Sequence, residues 1–249
     1  MGETDMVPRT AVAPLPVGDG IHADAARWTF GGDVFQTFDQ HVSKSVPLYR
    51  EGHELVAQLS DFFVRPDGLV LDVGCSTGTL IRTLAERHQG SGARFLGVDV
   101  EPGMTAAAAE QCAAYPEISI LEADAAAMEF DRLDFATLYY TLQFMPRERR
   151  RTLLASLYAA LPEGGAIVVF EKVRSATPML QDLMQQTYQE FKVNQGYTPD
   201  EVLGKSRSLK GVLDCLTSEE NVAMLRGAGF GQVMTMQKYI CFEGFLAVK

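Results

Sequence analysis

Apolar residues fall along this chain in two alternating rhythms. Residues 69–73 are almost continuously apolar and β-rich, and the run stops at Gly74. Residues 79–88 then space their apolar side chains three and four apart, the period of a helix with one buried face. The two rhythms recur downstream, with strand patterns at 93–99, 118–124, 133–140 and 166–173 and helix patterns at 102–115 and 147–161. Short apolar strands alternating with helices predict a parallel sheet covered on both faces, so the fold class is α/β.

The flanks read differently. Residues 34–42 and 48–63 predict two amphipathic helices split by Ser45-Val46-Pro47. Residues 179–193 and 200–213 predict two more, broken at Asn194 to Pro199. The stretch from about 174 to 215 is longer than a connection needs, which makes it a candidate lid or dimer element. Thr217-Ser218-Glu219-Glu220 reads as a helix start with early acidic residues, and the helix stops between Gly227 and Gly229. Two last strands, 232–240 and 242–249, can form a hairpin closing one sheet edge.

Composition narrows the class. Of the 249 residues 47% are hydrophobic, enough for a large core, and no apolar run approaches the ~20 residues of a membrane span. The start of the chain lacks a signal-type apolar core, so the cytoplasm is expected. Its Pro, Ala and Gly content predicts a mobile tail over 1–27 ahead of one domain at 28–249. The four cysteines and four histidines are scattered without ligand spacing, which predicts reduced thiols and no metal. A net charge of −10 disfavours a nucleic-acid partner and favours a small-molecule substrate. The one basic run, Arg147 to Arg151, reads as a solvated helix face.

Candidate chemistry begins at Asp72-Val73-Gly74-Cys75-Ser76-Thr77-Gly78, where a strand ends, glycines turn the chain and a helix starts. Ligands of open parallel sheets bind beyond such strand ends. Gly74 and Gly78 suit close backbone approach, and the free N–H groups of a helix start suit a carboxylate. The spacing matches neither a pyrophosphate loop nor a P-loop. Asp99 ends the second strand, where an acid can accept two hydrogen bonds from ribose hydroxyls. Asp124 ends the third, where it can accept from an adenine amino group.

These three motifs, in this order, resemble the S-adenosylmethionine (SAM) binding motifs of class I methyltransferases over roughly 28–248. The resemblance implies a Rossmann-like class I methyltransferase fold: a seven-stranded, mostly parallel sheet with helices on both faces and an α-helical lid. A narrower set of residues is similar to the carboxy-SAM synthase family, which builds a carboxylated SAM from prephenate for tRNA wobble-base modification. It comprises Trp28-Thr29-Phe30, Ser45 to Tyr49, Thr141 to Phe144, Glu171-Lys172, Phe191-Lys192, Gly196-Tyr197 and Arg207-Ser208. By that similarity Tyr49 touches SAM, and Gly74, Cys75 and Ser76 hold its methionine part. Asp99 with Val100, and Asp124 with Ala125, hold ribose and adenine, and Arg207 faces the added carboxylate. The family also implies a homodimer. The chain departs from it where Tyr139 replaces an asparagine and where residues 205–208 carry one residue more.

SAM presents three electrophilic carbons on a sulfonium, and Tyr139 and Tyr140 are expected at the pocket mouth, where an aromatic face supports that cation. Strand neighbours face opposite ways, so one of the pair is a candidate core residue. Tyr197 and Asn221 are polar candidates for binding an amine. The leading reaction is methyl transfer to a small acceptor in small-molecule or secondary metabolism. The alternatives are carboxy-SAM synthesis, cyclisation of SAM to azetidine-2-carboxylate with release of methylthioadenosine, and a non-catalytic SAM sensor.

Overall fold

The computed structural model describes residues 14–249. Nine strands and eight helices follow in order: β1 (Leu15–Gly18), β2 (Ile21–Ala23), α1 (Phe38–Ser45), α2 (Tyr49–Ser60), β3 (Leu69–Val73), α3 (Thr79–Arg87), β4 (Arg94–Asp99), α4 (Pro102–Gln111), β5 (Ile118–Glu122), β6 (Phe135–Tyr139), α5 (Arg147–Ala160), β7 (Ala166–Lys172), α6 (Pro178–Asn194), α7 (Pro199–Ser208), α8 (Ser218–Gly227), β8 (Gln232–Tyr239) and β9 (Phe242–Val248). None of these helices is long and apolar enough to cross a membrane.

Seven strands make one sheet in the order β5-β4-β3-β6-β7-β9-β8. The first five are parallel, whereas β9 inserts antiparallel between β7 and β8. The chain winds outward from β3 to β5 and then returns to place β6 on the other side of β3. That reversal leaves a crevice at the carboxyl ends of β3 and β6, because the connections on either side depart in opposite directions.

Period-two alternation divides the core between two faces. Leu71, Ala136, Leu138, Ile167 and Val169 pack toward α5 and α8. Val70, Phe135, Tyr139, Val168 and Phe170 pack toward α2 and α3. Both faces are covered, so these strands carry almost no exposed polar residue.

The tail expected over 1–27 is corrected from residue 14 onward, and residues 1–13 lie outside the described residues. β1 and β2 form an antiparallel hairpin. Gly18, Asp19 and Gly20 turn it with φ of 101°, 52° and 76°. Gly18 lies so close to the Tyr197 ring that a side chain there would overlap it. Gly204 of α7 meets the Pro16 carbonyl in the same way. Ala26 and Trp28 donate their N–H groups to the carbonyls of Arg207 and Ser208, at 2.9 and 3.1 Å. The glycines that suggested mobility are the residues that allow this tight turn and close docking.

The basic run is also more than a solvated face. Arg150 is fully buried and donates to the carbonyls of Met145 and Asp214, at 2.8 and 2.9 Å. Arg147 pairs with the Asp214 carboxylate and Arg149 with Asp124. These contacts tie the start of α5 to the segment after α7 and to the tip of β5.

Candidate active site

A cavity of about 510 Å³ fills the crevice and is roofed by α1, α2, α6 and α7. Its floor is the turn after β3. Gly74 and Cys75 both donate to the Val98 carbonyl, at 2.7 and 3.1 Å. Ser76 donates its N–H to Asp99 Oδ2 at 2.9 Å, and Glu101 donates to Asp99 Oδ1 at 3.0 Å. Gly74 and Ser76 adopt left-handed φ of 71° and 51°. The Thr141 side chain occupies the place a Gly74 side chain would take, and its hydroxyl donates to the Val73 carbonyl at 2.8 Å. The N–H groups of Gly74, Cys75 and Ser76 are thus spent within the turn. Donors for a ligand carboxylate remain in the first turn of α3.

Asp72, Gly74, Cys75, Ser76, Asp99, Val100, Asp124 and Ala125 all line this cavity, as does Tyr49. Asp72 is buried, accepts from the Thr137 hydroxyl at 2.6 Å, and is pushed up to about 7 by burial. Burial likewise raises the Cys75 thiol, so it is no ready nucleophile. Asp124 accepts from the Ala126 N–H at 3.0 Å and pairs with Arg149. Gly78 is the exception among the motif residues. It starts α3 with φ 85° and packs against α4, where an added side chain would come within 3.2 Å of Ala108. Its role is helix packing, and it does not line the cavity.

Tyr139 and Tyr140 both line the cavity. Strand geometry alone would part them, but Tyr140 turns with φ 62° as β6 ends. A left-handed non-glycine costs about 1–3 kcal/mol, and such strain collects at functional sites. Their rings lie 4.9 Å apart, and Tyr49 lies 5.2 and 6.2 Å from Tyr139 and Tyr140. The Tyr139 hydroxyl donates to the Tyr49 carbonyl at 2.7 Å, whereas the buried Tyr140 hydroxyl has no partner among the described residues.

Three candidates stand apart from the cavity wall. Arg207 is exposed on α7, and its neighbour two residues earlier, Lys205, takes the inward place. The helical turn decides this, because residues two apart on a helix face different directions. The Lys205 amine lies 2.7 Å from the Trp28 ring centroid, and burial holds it well below its ordinary basicity. Asn221 is buried in α8, and its side chain donates to the Thr217 carbonyl at 3.1 Å. Tyr197 is buried behind the wall, with its hydroxyl 3.0 Å from the Ser45 hydroxyl and 2.9 Å from Asp19.

The roof also holds residues that the pattern did not single out. His41 lines the cavity, and its Nδ1 lies 2.8 Å from Asp19 Oδ2. Burial raises the Asp19 carboxyl, but hydrogen bonds from Lys44, Tyr197 and His41 outweigh it and hold it below the usual carboxylate range. Burial and the Lys205 charge push His41 down to about 4, against the pull of Asp19. Lys172 lines the wall with its amine 4.3 Å from the Tyr188 ring centroid. No local motif links positions 19 and 41; only the hairpin brings them together.

Comparison with known proteins decides the family. Residues 70–165 match the methyltransferase domain model. The carboxy-S-adenosyl-L-methionine synthase of Staphylococcus epidermidis is 35% identical over 224 residues, covering 90% of this chain and 97% of that protein. The synthase of Trichodesmium erythraeum is 32% identical, covering 89% and 88%. The chain belongs to the carboxy-S-adenosyl-L-methionine synthase family. It is a SAM-dependent enzyme of the class I methyltransferase superfamily, with SAM as cofactor or substrate. Two solved structures share its fold. Human N-acetylserotonin methyltransferase in complex with SAM superposes with a TM-score of 0.59 at 19% identity, over 87% of this chain and 55% of the human one. Magnesium protoporphyrin IX methyltransferase of Synechocystis, with bound S-adenosylhomocysteine, gives 0.59 at 18%, over 88% and 95%. In this chain the inward basic side chain of α7 is Lys205, and the Tyr139 hydroxyl is held by the backbone of α2.

Proposed function

We propose that the cavity holds SAM across the β3 turn and that the enzyme transfers its methyl group to a small molecule enclosed in the same space. One observation carries this reading: two carboxylates at successive strand tips and three tyrosine rings open onto a single cavity at the switch of the sheet. The first turn of α3 meets the methionine carboxylate, and Gly74 makes room for the Thr141 side chain that braces the turn beneath it. Asp99 accepts from the ribose hydroxyls with lone pairs left over from Ser76 and Glu101. Asp124 accepts from adenine, with Val100 and Ala125 against its ring. Tyr49, Tyr139 and Tyr140 present aromatic faces to the sulfonium, each such contact contributing about 0.5–2 kcal/mol. Lys172 favours an acceptor that carries an acidic group.

A second reading is favoured by the aromatic wall together with Asp72. A carboxyl raised to about 7 gives little support to an ammonium group, and a neutral SAM amine can attack its own γ-carbon. The reaction named for the relatives, carboxy-SAM formation, has weaker support. The guanidinium of Arg207 faces outward, leaving the lysines as the inward cations for a carboxylate.

Incubation with SAM alone, with SAM plus small acidic acceptors, and with SAM plus prephenate, followed by mass spectrometry, separates these readings. S-adenosylhomocysteine formed only with acceptor supports methyl transfer. Methylthioadenosine from SAM alone replaces it with cyclisation, and a mass gain on SAM with prephenate replaces it with carboxy-SAM synthesis. Intact SAM in every mixture leaves a sensor. The exposed Met179, Leu180 and Leu183 of α6 fit a homodimer contact, which is part of the same proposal.

A further inference from the structure

We propose that Asp39 binds the ammonium group of SAM and that Thr77 and Thr79 are its positioning residues. The proposal rests on the reading of the cavity as the SAM site. It assigns a partner to the one charged group of SAM that the floor and the tyrosine wall leave unmatched.

Asp39 stands half-buried in the first turn of α1 and lines the cavity. Its carboxylate reaches across to the segment that follows the β3 turn. The Thr77 hydroxyl donates to Oδ1 at 2.9 Å, and the Thr79 hydroxyl donates to Oδ2 at 3.2 Å. Both threonines line the cavity, and Thr79 is the first residue of α3. Asp39 is therefore fixed beside the helix start that meets the methionine carboxylate in this reading. The ammonium and carboxylate of an amino acid share one carbon, so their partners must be neighbours. Two anions side by side would repel each other unless a cation sits between them.

The acids of the cavity differ in what already satisfies them. Asp99 accepts two backbone N–H groups, and Asp124 pairs with Arg149. Asp72 accepts from Thr137 and is pushed up to about 7 by burial, which makes it a poor partner for a cation. Glu101 follows Asp99 past the tip of β4, on the side given to ribose. Asp39 receives only two neutral hydroxyls and forms no salt bridge among the described residues. An ionised carboxylate offers about four lone-pair sites, so sites remain for the donors of an ammonium. Tyr197 and Asn221, the polar side chains that the sequence offered for the amine, do not line the cavity.

With this assignment both charged ends of the methionine part have a partner, the carboxylate on α3 and the ammonium on Asp39. SAM then bridges floor and roof, because α3 belongs to the sheet side and Asp39 to α1. An ammonium paired with a carboxylate keeps its proton, which fits methyl transfer. A ligand that has the carboxylate and lacks the amine sets its own negative charge against that of Asp39.

The test is calorimetry with three ligands: S-adenosylhomocysteine, its analogue with hydrogen in place of the amine, and methylthioadenosine. The proteins are the wild type, Asp39→Asn and Thr77→Val. The wild type should prefer S-adenosylhomocysteine to the deamino analogue by about tenfold or more. Asp39→Asn should weaken S-adenosylhomocysteine by about 10–100-fold. The same change should leave methylthioadenosine within about threefold and the deamino analogue bound as well or better, because the repulsion is gone. Thr77→Val should show the same pattern with a smaller loss. Equal weakening of all three ligands in Asp39→Asn would mean that Asp39 only braces the turn, and it overturns the proposal. So does S-adenosylhomocysteine affinity that is unchanged in that variant. If the variants fail to fold, a wild type that binds the deamino analogue as tightly as S-adenosylhomocysteine overturns it. A wild type that binds none of the three refutes the site reading beneath the proposal, whereas the other outcomes bear on the ammonium assignment alone.

Discussion

Single residues carry the sharpest expectations. Asp99 already receives two backbone N–H groups, so it is both the clasp of the β3 turn and a proposed acceptor for ribose. Asp99→Ala should weaken SAM binding by about 1–3 kcal/mol in calorimetry; unchanged affinity would remove Asp99 from the ligand. Glu171 lies buried beside Tyr140, and burial pushes its carboxyl up to about 8. An acid whose folded pKa is raised stabilises the protein below its unfolded pKa, and that stability drains away as pH rises from about 4.5 toward 8. Glu171→Gln should therefore gain on the wild type in thermal stability between pH 5 and pH 8. A difference in Tm that is flat across this range would contradict the assignment. Most cavity residues were legible at this scale, because Asp72, Gly74, Asp99 and Asp124 sit where strand ends and glycines announce a ligand. Arg207 and Asn221 stand off the cavity wall, and a residue type read along a helix does not show which way its side chain turns; Gly78, which has no side chain, serves the packing of α3 on α4. Tyr140 escaped the period-two rule through one left-handed residue, which no pattern of apolar positions reveals.

At the level of elements, the alternation of strand and helix between 69 and 173 could be read from hydrophobic period alone. The central strands β3, β6 and β7 are buried on both sides, whereas β5 at the sheet edge is half exposed. The N-terminal hairpin could not. β1 and β2 have four and three residues, too short for a periodic signal, and their stability comes from α7 packed against them. The docking depends on Gly18, whose neighbour is the Tyr197 ring. Gly18→Ala adds a methyl group where none fits and a left-handed φ of 101° that alanine resists. It should lower stability by more than about 1 kcal/mol and raise hydrogen exchange across 15–28 and α7 together. Exchange confined to the hairpin, with α7 unchanged, would show that the two elements are not coupled.

For the whole molecule, the roof of the cavity comes from segments far apart in sequence: the stretch around Trp28, α1, α2, α6 and α7. The sheet supplies the floor, where the proposal places SAM. The roof supplies the inward Lys205, and Tyr139 faces it from the end of β6. The exposed apolar side chains of α6 have no partner within one described chain. A homodimer that covers them should sediment as two chains, and Leu183→Glu should return it to one. A wild-type monomer at micromolar concentration would dismiss that interface. The central claim concerns the floor, and a crystal structure grown with S-adenosylhomocysteine tests it most directly. The account predicts the nucleoside between Asp99 and Asp124, with the sulfur facing Tyr139 and Tyr140. Clear density for the ligand anywhere else, with this crevice empty, would contradict it.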